Sequence, residues 1–267
     1  MESFFLDHPN GRVHALRFGH GEKLLIALHG FSDRARMFSV LQHALGNSYR
    51  VVAIDWPFHG QTVWHKVTFT KQDLLEIIRM VAEHEGEKRF NLMGFSFGAR
   101  LAQAMLPELA PRLDKLYLLS PDGVKTKGMT MAVHTPMWVR KLLHRMLKKP
   151  GWFVSLLHFG RRVGVVPPLI HHFLTNNLTR PERFQRTFGC WRALDSFYLR
   201  RRNIKAVLQE TGLPADVYMG IHDPMLEQKA LQNLYGDIPN VRLFMLEEGH
   251  RLVGEGLAAE ILAKVRQ

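Results

Sequence analysis

Short, continuous apolar runs recur along the 267-residue chain, each closed by a cluster of turn-forming residues. They are Leu24–Leu28, Val51–Ile54, Phe90–Met93, Leu116–Leu119, Val217–Ile221 and Val241–Leu246. The clusters that close them read HGFSD, DWPFHG, GFSFG, SPDG, HDP and EEGH. Unbroken apolarity, rather than alternation with polar residues, predicts strands covered on both faces. Two N-terminal pieces, Ser3–Leu6 and Arg12–Phe18, read as outer antiparallel strands. Segments with helical period separate the runs. Thr70 followed by Asp73 predicts a capping arrangement, and the apolar spacing after it continues to a glycine stop. Ala99–Leu109, Gln228–Leu234 and Leu257–Val265 have the same character. Strand–helix alternation of this kind predicts a mostly parallel sheet with helices on both faces.

The alternation breaks after Gly123 and resumes near Asp216. The intervening stretch is rich in Arg, His, Trp and Phe, and it carries Pro136, Pro150, Pro167, Pro168 and Pro181. The expected organisation is a core of residues 1–123 and 214–267, with a helical cap, 124–213, inserted after the sixth strand. Such a cap would lie over the strand C-terminal ends, where open α/β sheets bind ligands.

Charge sharpens this division. The chain carries 36 Lys and Arg against 24 Asp and Glu, a net charge of +12. Residues 124–205 hold 17 of the basic residues and only two acids, Glu182 and Asp195. The excess positive charge therefore belongs to the cap, as a distinct surface. Within it, Trp138, Val139, Leu142, Leu143, Met146 and Leu147 form one helical stripe. Arg140, Lys141, His144, Arg145, Lys148 and Lys149 form another. This predicts a helix over 138–149 that covers an acyl pocket, meets an anionic membrane surface, or does both. Nucleic acid is disfavoured, since no recognition motif accompanies the charge. The single cysteine, Cys190, excludes an intramolecular disulfide and an all-cysteine zinc site. No signal-peptide pattern and no spanning run of about 20 apolar residues occur, so the expectation is a cytoplasmic protein, soluble or peripheral to a membrane.

The candidate chemistry sits at the strand ends. Gly94-Phe95-Ser96-Phe97-Gly98 is a G-x-S-x-G sequence between an apolar strand and a helical pattern, the setting of a nucleophile elbow. A serine hydroxyl is a weak nucleophile and needs a base. Fifteen histidines are available. His250 has the right address, after the last strand and before the last helix. Asp223, after the preceding strand, is the acid to orient it, and the order Ser96, Asp223, His250 is the order of a strand-end triad on this kind of sheet. Asp122 is the competing acid, while Glu247 and Glu248 are expected on the solvated approach to the His250 loop. His29-Gly30-Phe31 follows the Leu24–Leu28 strand, so the backbone N–H of Phe31 can join that of Phe97 as an oxyanion donor. Gly30 permits the close approach, His29 reads as a scaffold for the loop, and Ser32 and Asp33 read as helix N-caps.

These motifs, together with Asp55-Trp56-Pro57-Phe58-His59-Gly60, Gly220-x-x-Asp223 and Gly249-His250, resemble the serine hydrolases of the α/β-hydrolase superfamily. The resemblance implies Ser96 as nucleophile, His250 as base and Asp223 as acid. It implies Phe31 and Phe97 as oxyanion donors and no cofactor or metal. The substrate is expected to be a small acyl molecule with an apolar or lipid-like chain, bound by Gly30, Phe95, Trp138 and Leu142. Phe58 departs from the superfamily pattern, standing where a glycine is common. The Ser-Phe-Gly-Ala-Arg run, ending at Arg100, resembles the branch that eliminates pyruvate in menaquinone synthesis. Carboxylic ester hydrolysis is the leading expectation. Thioester cleavage, carbon–carbon bond cleavage and a non-enzymatic anionic-surface-binding role are the alternatives.

Overall fold

A computed structural model describes residues 1–121, 150–168, 171–172, 175–176 and 181–265. The predicted helix over 138–149 lies outside them, and so do Asp122, Trp138 and Leu142.

Among the described residues nine strands form one sheet: β1 (Glu2–His8), β2 (Gly11–Phe18), β3 (Lys23–Leu28), β4 (Tyr49–Asp55), β5 (Val63–Trp64), β6 (Phe90–Phe95), β7 (Leu113–Leu119), β8 (Ala215–Gly220) and β9 (Val241–Leu246). The order is β1-β2-β4-β3-β6-β7-β8-β9, with β5 paired to β2. From β4 to β9 every neighbour is parallel, and β1 and β2 form an antiparallel edge. The two-residue β5 is too short to carry a periodic signal. It makes the strand before the insertion the seventh in the chain rather than the sixth.

Side chains alternate between two buried layers. Leu24, Ile26 and Leu28 of β3 enter one apolar cluster, Leu25 and Ala27 the other. On the first face lie α2 (Lys71–His84), α3 (Phe97–Ala104), the single turn α4 (Leu106–Leu109), α7 (Arg201–Thr211) and α8 (Gln228–Tyr235). The second face is covered by a 3₁₀ segment (Ala35–Leu41), the short α1 (Gln42–Leu45) and α9 (Glu255–Val265). Coverage on both faces is what the unbroken apolar runs required.

Local signals explain most element ends. At α2, the Thr70 hydroxyl accepts from the Asp73 N–H at 3.2 Å, and the Asp73 carboxylate accepts from the Thr70 N–H at 2.8 Å. Leu74, Leu75, Ile77, Ile78, Val81 and Ala82 then face the sheet. Ser32 and Asp33 are not N-caps. The element after them is a 3₁₀ turn that begins at Ala35, with Arg34 at its N-cap and no side-chain cap. Ser32 instead adopts a left-handed φ of 66°, and the Asp33 carboxylate pairs with Arg251 at 3.1 Å.

Between β7 and β8 run α5 (Pro150–Arg162), α6 (Pro181–Ala193), a 3₁₀ turn (Leu194–Phe197) and α7. Cys190, Ala193, Leu194 and Phe197 are buried in the first apolar cluster, and the Phe197 ring lies 5.2 Å from that of Phe69. Phe58 meets the same segment. A Cβ on Gly189 would come within 2.2 Å of the Phe58 ring, so α6 sits directly on it. Phe58 has φ 70°, a left-handed conformation that favours glycine. Its departure from the superfamily pattern thus places a ring beneath α6 at the cost of backbone strain.

Candidate active site

β3 and β6 are adjacent, and the chain leaves them toward opposite ends of the sheet, so their C-terminal loops diverge over a crevice. Ser96 lies on the β6 side. It joins β6 directly to α3 with φ 51° and ψ −114°, a strained conformation costing about 1–3 kcal/mol. Its N–H donates to the Leu119 carbonyl at 2.8 Å, which anchors the turn to β7. The turn is possible because the flanking residues lack side chains. A Cβ on Gly98 would sit 2.0 Å from the Leu28 carbonyl oxygen, and one on Gly94 would sit 2.6 Å from the Ala99 Cα.

The three sequence-predicted polar residues converge here. Ser96 Oγ is 2.9 Å from His250 Nε2, and His250 Nδ1 is 2.7 Å from Asp223 Oδ2. With Nδ1–H donated to the carboxylate, Nε2 is left as acceptor for the serine hydroxyl. Asp223 Oδ1 accepts from the Met225 N–H at 2.8 Å. The residue is therefore a turn former and an imidazole partner at once. Burial, the largest single influence on Asp223, pushes its pKa up. The hydrogen bonds from His250 and Met225 and the His250 charge outweigh it, so the carboxyl lies below its ordinary range. The buried Ser120 hydroxyl acts in the same direction and is the weakest of these influences, since it has no well-aligned hydrogen bond. Asp223 is buried and His250 partly exposed, so the imidazole edge near Ser96 stays within reach of the crevice. Glu247 is exposed and pairs with His222 at 3.2 Å.

Facing Ser96 is the loop after β3. His29 is fully buried, and its Nδ1–H donates to the Gly30 carbonyl at 2.8 Å. The Trp56 indole N–H donates to the His29 carbonyl at 3.0 Å. Gly30 has the Phe95 ring and the Asp33 carboxylate close against it, leaving only 3.0 Å for a Cβ. Phe95 is buried, with its ring 5.6 Å from the His250 imidazole. Phe97 opens α3, where the first backbone N–H groups have no partner within the helix, and its ring stacks on Trp56.

Three contributors were not visible in the sequence. His59 donates from Nδ1 to the Pro57 carbonyl at 3.0 Å and accepts the Ser32 N–H at Nε2 at 3.3 Å, bracing the residue after Phe31. Burial, with His29 and Arg186 nearby, holds its pKa well below the usual value. Arg186 reaches from α6 to lie 5.9 Å over the Phe31 ring. Ser120 sits beneath Asp223 with φ 43°. In the sequence His59 is one histidine of fifteen, and Arg186 one of many basic residues. Among the described residues no group of three or more His, Cys, Asp or Glu side chains is placed to hold a metal ion.

A family model for the alpha/beta hydrolase fold matches residues 23–164. The chain belongs to the alpha/beta hydrolase fold family. It is 24% identical over 241 residues to the uncharacterized hydrolase YugF of Bacillus subtilis, spanning 88% of this chain and 85% of that one. Among solved structures, the thioesterase domain from the curacin biosynthetic pathway superposes with a TM-score of 0.71 at 17% identity, covering 100% of this chain and 99% of the other. A thermophilic esterase from Thermogutta terrifontis gives 0.69 at 16% identity, covering 100% and 97%. At such identities the superpositions show a shared fold. In this alpha/beta hydrolase α5 and α6 fall within the insertion between β7 and β8, while α7, its last helix, packs on the sheet.

Proposed function

We propose that this protein hydrolyses carboxylic esters with an apolar acyl group, through an acyl-enzyme on Ser96. The reading is carried by the continuous hydrogen-bonded line from Ser96 Oγ through His250 to Asp223. Ser96 Oγ attacks the ester carbonyl carbon while His250 Nε2 takes the hydroxyl proton. The carbonyl oxygen becomes an oxyanion, facing the N–H groups of Phe31 and Phe97, and each such donor contributes about 3–4 kcal/mol where measured. Collapse expels the alcohol, which receives the proton from His250. Water then attacks the acyl-serine, giving its proton to His250, and the carboxylic acid leaves as the serine is restored. Asp223 stays ionised throughout and stabilises the imidazolium, in keeping with its lowered pKa. The apolar acyl preference is supported by Phe31, whose partly exposed ring stands in the loop facing Ser96.

The test is turnover of p-nitrophenyl esters from acetate to palmitate by the wild-type chain and Ser96→Ala. Turnover should fall by about 10⁴-fold or more in the variant, with the circular dichroism spectrum unchanged. Folded wild type that turns over no ester of any length would overturn the reading. Thioesters should then be assayed next, the same machinery serving a different leaving group.

A further inference from the structure

Helix α5 buries Leu157 and turns a second apolar face outward. Leu156 is 49% exposed, Phe159 62% and Val163 54%. Their spacing of i, i+3 and i+7 puts all three within an arc of roughly 60°. The helix end is built rigidly. The Gly164 N–H donates to the Arg161 carbonyl at 3.2 Å and the Val165 N–H to the Gly160 carbonyl at 2.9 Å, with Gly164 at φ 78°. This is a Schellman arrangement, in which the residue after the glycine ordinarily packs back on the helix. Here Val166 takes that place over Gly160, where a Cβ would meet its Cγ2 at 2.8 Å. Val165 is left 76% exposed. Four large apolar side chains within ten residues therefore form one outward ridge, where soluble surfaces usually carry such residues singly.

The charge around the ridge has one sign. Arg161, Arg162 and His158 are exposed on the same helix. Arg162 borders Phe159 on the helical wheel. No Asp or Glu occurs anywhere from residue 123 to residue 181. A nucleic acid would use the cations and leave the ridge idle. A second copy would bring the same positive field against itself. A surface of acidic lipids uses both features, with apolar side chains entering the boundary between headgroups and acyl chains and arginines meeting the phosphates. Among the described residues no helix is long and apolar enough to cross a membrane, so contact from one side is the geometry available to them.

We propose that α5 and its C-terminal turn dock this protein onto membranes containing acidic lipid. Leu156, Phe159, Val163 and Val165 insert, and Arg162, on the flank of the ridge, binds phosphate. The inference does not depend on ester hydrolysis.

The experiment is sedimentation of the full chain with phosphatidylcholine vesicles, with and without a third of phosphatidylglycerol. Binding should be about tenfold or more stronger to the acidic vesicles and weaken with added salt. Phe159→Ser/Val163→Ser and Arg162→Glu, all at exposed positions, should each reduce it about tenfold. Both should melt like wild type and retain turnover of a soluble acetate ester, while Ser96→Ala should bind vesicles fully. No preference for acidic vesicles would overturn the proposal. So would undiminished binding by the ridge variant, or a wild-type dimer that the ridge variant converts to monomer on gel filtration.

Discussion

Ser96 is held in a strained conformation by two neighbours that cannot have side chains, and His250 is held by an acid that is itself held by backbone. Each restraint can be removed singly. Asp223→Asn keeps the shape but can donate where the carboxylate only accepts, so His250 loses the tautomer that leaves Nε2 as acceptor. By the proposed mechanism kcat should drop about 10⁴-fold, with the melting temperature little changed, as measured by ester turnover beside differential scanning fluorimetry. Gly98→Ala acts differently. Its Cβ meets backbone oxygens of Leu28 and His29, which cannot rotate away, so α3 must shift from β3. Overpacking of this kind costs about 1–3 kcal/mol, and here activity and stability should fall together in a denaturant titration with parallel turnover. The residues brought together around Ser96 were legible because each lies at a strand end, in the chain order the fold uses. His59, Arg186 and Ser120 were not, because their effects act through space from loops and a helix whose relative placement no local pattern encodes.

At the scale of elements, the outcome depended on whether the signal was local. The Thr70–Asp73 capping box is a four-residue signal and was readable as such. Its helix, α2, lays six apolar side chains on the sheet. Thr70→Ala removes the hydroxyl that accepts the Asp73 N–H and should cost about 1 kcal/mol in chemical denaturation, without altering ester turnover. If turnover fell in proportion to stability, α2 would be coupled to the site rather than simply part of the layer beneath it. The segment after Phe31 defied the same reasoning. Ser32 and Asp33 have N-cap chemistry, yet Ser32 is committed to the His59 hydrogen bond and Asp33 to Arg251. Tertiary partners took the Ser32 backbone N–H and the Asp33 carboxylate, and the 3₁₀ turn begins two residues later without a cap. Phe58 is a second such conflict, a left-handed aromatic that is accounted for only once α6 is seen resting on it.

Across the whole molecule, the layered sheet explains why two histidines beside the loop after β3 are buried without ion-pair partners of good geometry. His29 and His59 lie between β3, the Trp56 loop and α6, and burial holds both pKa values below the ordinary 6.5. Asp55 and Asp33 oppose this at His29, while Arg186 reinforces it at both. Above that value both imidazoles are neutral whether the chain is folded or not. As pH falls through it, the unfolded chain takes up protons that the folded one refuses, so stability decreases. Asp73 and Asp223, both lowered, lose their contributions only below about pH 4 and leave this window clear. The melting temperature should therefore drop between about pH 7.5 and pH 5.5. His59→Gln isolates part of the effect, since its amide oxygen can accept the Ser32 N–H and does not titrate. Its melting temperature should depend less steeply on pH than that of the wild type. Parallel profiles for the two proteins would mean that His59 takes up its proton in the folded state, and that the Ser32 hydrogen bond does not hold it neutral.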